Sequence, residues 1–375
     1  MAARGGSALK VEETFDLERG VADADVVINQ FRVGGFDARE KDETIPLDFG
    51  LIGQETTGVG GMMKALRTLP VLDRVVAAVR KYAPGAWIIN FTNPAGLNTE
   101  YINNNLGFQR ALGLCNIPIQ MAQQAAELLS CDRKEVFLHY YGLNHLAWVE
   151  RVLQNGSDRT DMVLEELQRK LISDPENSWQ HGLFKTVGLI PNPYLNYYYN
   201  RRAVTARQLA DRGGSGTRVR QIRSIDERLL KLYSRKDTVT LPEELLERGG
   251  FMYSTVALEL LKDIFIGEMG THIINTCNNG TIRNLPDNYI LEIPVNVNPL
   301  GINTRVIGDA HPVTLGLIHT VKTFERLVIQ AHLEGDQRYA RQALLMHPLG
   351  SDEKDINALW KVLLDANRDY LPHFA

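Results

Sequence analysis

Two short apolar runs, Ala86-Trp87-Ile88-Ile89-Asn90-Phe91 and Ala111-Leu112-Gly113-Leu114, decide the fold, and each stops at polar groups: Thr92-Asn93 after the first, Cys115-Asn116 after the second. Neither run alternates apolar with polar residues, the pattern of a strand buried on both faces of a parallel sheet. A third run of this kind, Ala24 to Phe31, lies upstream. Between them the spacing predicts helices from about Met62 to Tyr82, ended by Pro84-Gly85, and from about Leu97 to Asn105; Pro118 starts another that runs to about Ser130. Strand and helix alternate through this half. That alternation implies an α/β fold, a Rossmann-like doubly wound parallel sheet with right-handed crossovers.

Open sheets of this class bind ligands beyond the carboxyl ends of their strands. Arg32-Val33-Gly34-Gly35 and Ala38-Arg39-Glu40-Lys41-Asp42-Glu43 follow the first run and read as a loop carrying two arginines to that edge. Gly53-Gln54-Glu55-Thr56-Thr57-Gly58-Val59-Gly60-Gly61 is a glycine-rich loop opening into the Met62 helix, a natural anion seat though not a G-x-G-x-x-G. Thirty residues beyond Cys115, a further run ends in Gly142-Leu143-Asn144-His145. A thiolate and a neutral imidazole are donors for a divalent transition metal, and two ligands leave positions for water or substrate, as at a catalytic centre. The same two residues also fit a small core cysteine and a satisfied core histidine.

The composition bounds the function. With 375 residues, 44% hydrophobic, 23% charged and a net charge of -4, the chain reads as an ordinary globular protein with room for two domains, and it has no basic excess for nucleic acid. Its three cysteines, Cys115, Cys131 and Cys277, are far apart and odd in number, which argues against a disulfide framework and for a reducing compartment. No apolar run approaches a membrane span, and MAARGGSALK at the start lacks a signal-peptide centre, so a cytoplasmic protein is expected.

Downstream, Val136 to Tyr141 and Ala147 to Leu153 read as strands, with a hairpin turned at Asn155-Gly156. Residues 157–250 are mostly helical and polar, and include the tyrosine-rich stretch Pro191-Asn192-Pro193-Tyr194-Leu195-Asn196-Tyr197-Tyr198-Tyr199, which on its own suits a packed interface. Arg218, Arg220 and Arg223 precede a helical pattern and read as a solvated face. Gly249-Gly250 opens a last unit with strands near 273–276 and 289–295 and amphipathic helices near 314–332, 338–345 and 352–368.

Taken together, Gln30-Phe31-Arg32-Val33-Gly34-Gly35, Gly53-Gln54-Glu55-Thr56-Thr57-Gly58, Asn90-Phe91-Thr92-Asn93-Pro94, Gly113-Leu114-Cys115-Asn116, Gly142-Leu143-Asn144-His145, Asn192-Pro193-Tyr194-Leu195, Asn278-Asn279-Gly280 and His347-Pro348-Leu349-Gly350 resemble glycoside hydrolase family 4. Asn116 after the cysteine is similar to the 6-phospho-β-glucosidase branch. The resemblance implies a lactate and malate dehydrogenase-like fold, with a partial NAD-binding domain over residues 1–134 and an α+β catalytic, substrate and oligomerisation domain over 135–375. It implies a glycosidase that works without a carboxylate pair. In that family's route NAD takes hydride from carbon 3, a base removes the carbon 2 proton, the aglycone is eliminated, water adds, and the hydride returns.

By the same resemblance Cys115 and His145 hold Mn2+ or another divalent metal, and Tyr194 is the base, with Tyr198 the second choice and Tyr197 also open. Arg39, Asn93 and Arg218 bind the 6-phosphate, Asn116 lies at the substrate, and Gln30, Arg32, Gly34 and Asn93 line the cofactor. The implied substrate is a phosphorylated disaccharide or an aryl 6-phospho-β-glucoside, hydrolysed by a homodimer or homotetramer. An α-acting member of the family is the alternative, and a net oxidoreductase would differ by accumulating NADH. Family members ordinarily begin with a strand, a glycine-rich turn and a helix that do not precede the Ala24 run here. The first strands and the phosphate turn are therefore expected to be missing, through a start-site error or a truncation, which would leave Val26 to Phe31 an exposed edge, NAD bound poorly or not at all and little turnover, so an inactive truncated remnant that lacks NAD binding is a further alternative.

Overall fold

A computed structural model of the chain describes residues 10–172, 178–235, 240, 242–248, 252–267 and 269–374. The Gly249-Gly250 pair and residues 1–9 of the leading stretch lie outside them. Helix α1 (Leu17–Val21) precedes strand β1 (Val26–Asn29), which leads through α2 (Gly35–Asp48) and α3 (Gly58–Tyr82) to β2 (Trp87–Asn90). Helix α4 (Ala95–Glu100), prolonged by a π-helical turn over Tyr101–Asn105, leads to β3 (Ala111–Gly113) and α5 (Ile117–Leu129). A hairpin of β4 (Val136–Leu143) and β5 (Leu146–Gln154) is followed by β6 (Ser157–Asp158), α6 (Thr160–Ile172), α7 (Ser178–Val187) and β7 (Ile190–Pro191), and these four strands form a small second sheet. Five helices come next: α8 (Asn196–Tyr199), α9 (Arg201–Gly213), α10 (Arg218–Tyr233), α11 (Glu244–Glu247) and α12 (Tyr253–Ile266). Strands β8 (Gly270–Cys277), β9 (Ile290–Asn298) and β10 (Gly301–Thr304) precede the closing helices α13 (Pro312–Glu334), α14 (Gln337–Met346) and α15 (Glu353–Asn367).

The large sheet runs β1-β2-β3-β8-β9-β10. Its first three strands are parallel, with Ile28 beside Ile89 and Ile89 beside Leu112, as the alternating pattern requires. The expectation of a parallel sheet holds only for that half. Strand β8 pairs with β3 antiparallel through Gly113 and Asn275, and β9 and β10 continue antiparallel, so the sheet is mixed. The open side of β3 accepts a hairpin from the far end of the chain, and a hairpin can only be antiparallel. At the other end β1 is an edge strand, and Ile28 is 46% exposed.

Period-2 alternation sends side chains to two cores. Ile88 and Ala111 pack with Leu66 and Leu69 of α3 and with α13 to α15, whereas Trp87, Ile89 and Leu112 pack with α12 and the β4–β5 hairpin. All three cysteines are free thiols. Among the described residues no helix is long and apolar enough to cross a membrane.

The segment 38–43, read as a loop, is the middle of α2. Its apolar residues show no helical periodicity because the face it buries is ionic: Asp42 and Glu43 are buried with Ala38, Pro46 and Leu47. Asp42 takes both terminal nitrogens of Arg67 on α3, at 3.0 and 2.5 Å, and Asn367 of α15 accepts from the same guanidinium at 2.7 Å. Glu43 accepts from Arg39 one turn back at 2.7 Å and from the Val219 amide at the start of α10 at 2.8 Å. Arg67 and Asp42 have essentially no exposed side-chain surface. Asp42→Ala leaves that guanidinium buried without its counter-charge, so the urea unfolding midpoint should fall by the equivalent of about 3–5 kcal/mol. An unchanged midpoint would show the pair does not hold α2 to α3.

Candidate active site

Beyond the carboxyl ends of β1 and β2 lies a cavity of about 910 Å³. Of the residues singled out in the sequence, Gln30, Arg32, Arg39, Asn93, Tyr194 and Arg218 line it. Gly34, Cys115, Asn116 and His145 do not. Gly34, at φ +80°, starts α2 with Ala38 and Tyr370 crowding the place a Cβ would take, so it shapes the turn behind Arg32. Asn116 is buried at the start of α5. The glycine run is also not the anion seat expected of it. Gly60 and Gly61 are packed under the backbone of Asp42, Gln54 and Thr56, while Gly53, Gln54, Glu55 and Thr56 face the cavity.

Six cationic side chains, Arg32, Arg39, Lys64, Arg207, Arg218 and Arg248, meet three carboxylates in this lining. Glu55, unremarked in the sequence, organises them. Its carboxylate accepts from Arg32 at 3.2 Å, from Arg39 at 3.0 Å and from the buried Lys64 at 2.9 Å. Although burial opposes its charge, the three cations hold its pKa well below the usual carboxylate range. Burial pulls Lys64 below its ordinary value, and Glu55 opposes that shift. Arg218, at the first turn of α10, donates to Gln221 and to the Glu247 carbonyl. The neighbouring Arg220 and Arg223 make exposed ion pairs with Glu40 and Asp37 of α2, the solvated face expected of them.

Cys115 and His145 come together beneath this cavity. Both are buried, and Cys115 Sγ lies 3.7 Å from His145 Nε2. His145 occupies the two-residue turn of the β4–β5 hairpin, where Leu143 faces Leu146, and its φ is +65°. The Asn155-Gly156 turn expected from the sequence is present, with Gln154 opposite Ser157, but the chain also reverses earlier, at Asn144-His145. The earlier turn went unseen, although an asparagine opening a two-residue link between apolar runs is its signal.

The imidazole is fixed in tautomer. Thr56 donates its hydroxyl proton to Gln54 Oε1 at 2.7 Å, so it accepts from His145 Nδ1 at 2.9 Å, and the Nε2 lone pair is left facing the sulfur. Burial lowers the His145 pKa to about 3, so the ring is neutral near pH 7. A thiolate and an imidazole bound to one ion at about 2.3 and 2.0 Å, at a roughly tetrahedral angle, stand about 3.5 Å apart. The pair therefore fits a shared divalent cation with further positions open. Among the described residues no third His, Cys, Asp or Glu completes a cluster.

Tyr194 lies flat on His145, with ring centroids 3.7 Å apart and parallel planes, and it also lines the cavity. It sits in a short 3₁₀ turn, Pro193–Leu195, whose first amide is capped by Asn192 at 2.9 Å. Burial first, then Tyr197 and Cys115, raises its phenol pKa well above the ordinary value. Tyr197 lines the cavity as well. Tyr198 does not, and its hydroxyl is 2.7 Å from that of Thr57.

Residues 1–131 match the family 4 glycosyl hydrolase model, and residues 140–350 match that of the family 4 glycosyl hydrolase C-terminal domain. The chain belongs to glycosyl hydrolase family 4. It is 44% identical to 6-phospho-β-glucosidase BglT of Thermotoga maritima over 96% of this chain and 85% of that one. It is 34% identical to the 6-phospho-β-glucosidase of Escherichia coli K12 over 100% and 85% of the two chains. The Thermotoga maritima enzyme, solved with manganese, NAD+ and glucose-6-phosphate, superposes with a TM-score of 0.90 at 43% identity, over 95% of this chain and 84% of that one. This family 4 protein is thus a glycosidase of the 6-phospho-β-glucosidase type.

The Cys115 thiol is pushed up by burial and by the charge of Glu292, and lowered less strongly by hydrogen bonds from Ile117, Asn144 and Asn116. A cation that takes the sulfur as thiolate must displace that proton. Divalent metal affinity should therefore climb about tenfold per pH unit between about pH 6.5 and 8.5, with one proton released. Calorimetry in buffers of differing ionisation heat checks this, and a flat profile would remove Cys115 from the ligand set.

Proposed function

We propose that this protein hydrolyses 6-phospho-β-glucosides, such as cellobiose 6-phosphate, with NAD and a divalent cation of the Mn2+ type. The observation that carries the reading is the meeting of Cys115 Sγ and His145 Nε2 at 3.7 Å, with Tyr194 stacked on His145 and itself lining a cationic cavity. When bound, the cation supplies Lewis acidity at the sugar's 2- and 3-oxygens and the nicotinamide a reversible hydride acceptor. Cys115 and His145 hold the cation. Thr56 keeps the imidazole in the tautomer that presents Nε2.

Tyr194 takes the proton from carbon 2. Its burial keeps the phenol neutral in the absence of a nearby cation, so it becomes a base only where positive charge stands beside it. Arg39, Asn93 and Arg218 bind the 6-phosphate, with guanidinium forks suited to a dianion. Glu55 holds Arg39 and Arg32 in place and offsets the mutual repulsion of these two arginines and the buried Lys64. Gln30, Arg32 and Asn93 line the cofactor side, and Gly34 sets the turn that carries Arg32. Asn116 after the cysteine favours the β-acting over the α-acting branch.

The test is release of aglycone from an aryl 6-phospho-β-glucoside by the full chain with NAD+ and Mn2+, with the α-anomer as control. Equal turnover of the two anomers would sink the β assignment. Cys115→Ser and His145→Ala should each remove the Mn2+ dependence. Tyr194→Phe should lower kcat by about 10²–10⁴-fold and stop exchange of the carbon 2 proton with deuterated water, while Mn2+ still binds. Persistent exchange would move the role to Tyr197 or Tyr198.

A further inference from the structure

Glu292, on β9, is fully buried, and all its partners are neutral. Its Oε2 accepts from the Tyr140 hydroxyl at 2.6 Å, and its Oε1 accepts from Asn144 at 2.9 Å and Asn275 at 3.2 Å. Among the described residues it has no ion pair. This sets it apart from the other deeply buried carboxylates: Asp42 has Arg67, Glu55 has three cations, and Glu100 and Glu325 share Lys322. A buried carboxylate without a counter-charge is costly in a folded protein unless a cation is recruited.

Each partner of Glu292 leads to the candidate centre. Asn144 precedes His145 in the hairpin turn and turns its side-chain amide to the Cys115 sulfur. Asn275 reaches the Gly113 carbonyl at the end of β3, two residues before Cys115. The Tyr140 hydroxyl accepts from Asn192 Nδ2 at 2.9 Å, and Asn192 Oδ1 in turn caps the Tyr194 amide. The segments carrying both metal donors and the candidate base are thus tied to one carboxylate.

We infer that Glu292 is a positioning residue which fixes Cys115, the His145 turn and Tyr194 relative to one another, and supplies the buried negative charge that a divalent cation at Cys115 and His145 neutralises. It touches neither the cation nor the sugar. The inference rests on the metal site of the proposed function, and the experiment separates the two.

Glu292→Gln keeps the shape and one acceptor while removing the charge and setting an amide against the donors. Mn2+ affinity by calorimetry, and the thiolate charge-transfer band on titration with Co2+, are measured on the full chain and on the variant, with circular dichroism of the metal-free forms. The expected result is a retained fold, Mn2+ affinity weaker by about 10–100-fold, and a shifted or diminished cobalt band. Affinity within twofold of the parent and an unmoved band would overturn the inference while leaving the metal site standing. A parent that shows no cobalt–thiolate band would overturn both.

Should Glu292→Gln fail to fold, Asn144→Ala cuts the same relay at the sulfur. A weakened Mn2+ affinity with a shifted band supports the inference, and an unaltered pair of readouts refutes it. Tyr140→Phe cuts only the other arm. It should slow carbon 2 proton exchange and leave Mn2+ affinity within twofold; exchange at the parental rate would refute the Tyr194 arm.

Discussion

Gly113 is where the two halves of the large sheet join. It pairs with Asn275 across the β3–β8 boundary, and a Cβ at this position would strike the Thr99 hydroxyl and come within 2.9 Å of the Asn275 Cβ. Only a residue without a side chain lets β8 approach β3 so closely. The approach seats Asn275, and with it Glu292 opposite on β9, against the segment that leaves β3 toward Cys115. A parallel sheet alone would have delivered Cys115 to an open edge. The antiparallel graft turns that edge into a buried wall against which a hairpin turn can press an imidazole.

Two buried carboxylates frame the site and are handled in opposite ways. Glu55, at the cavity wall, is surrounded by Arg32, Arg39 and Lys64, so its charge is cancelled and the surplus belongs to the cations. The proposed 6-phosphate site uses that surplus, and its donors are already oriented, which lowers the reorganisation an anion would need. Glu292, behind the sulfur, is solvated by a phenol and two amides. Burial raises its pKa while those neutral donors oppose the shift, and with burial its charge raises the Cys115 thiol pKa. One wall is thus prepared for an anion and the other for a cation.

What could be read from the sequence follows from what each signal depends on. The parallel strands were legible because burial on both faces imposes an unbroken apolar run, whereas Cys115 and His145 taken alone fit core residues as well as metal donors, and only the family resemblance joined them. Helix α2 was hidden because the periodicity that marks a helix is apolar, whereas its buried face is Asp42 and Glu43. The mixed character of the sheet was hidden because Ile273 and Ile293 read as strands whatever their direction. Glu292 left a trace that can be recognised in retrospect. In Ile290-Leu291-Glu292-Ile293 an acid interrupts a strand otherwise buried throughout, and such an acid must have donors waiting for it. The donors come from residues 140, 144 and 275, too scattered for any spacing rule. The tyrosine cluster divides for a similar reason: Tyr194 and Tyr197 face the cavity and Tyr198 turns to Thr57, a difference set by the short 3₁₀ turn and not by residue type.

The left-handed backbone at His145 shows how tightly these parts are coupled. A non-glycine residue at φ +65° costs about 1 kcal/mol or more relative to the extended alternatives and persists only where its surroundings over-determine it. Here the ring is held from three directions: Thr56 fixes Nδ1, Tyr194 covers one face, and Asn144, anchored on Glu292, fixes the turn. Because Tyr194 stacks on the same ring and is capped through Asn192 to the same carboxylate, a displacement of the turn displaces the candidate base with it. His145 and Tyr194, the candidate ligand and the candidate base, are therefore coupled through a two-residue loop. Burial favours the neutral form of Tyr194, and under the proposed function a cation held by Cys115 and His145 would oppose that preference through the ring on which Tyr194 stacks.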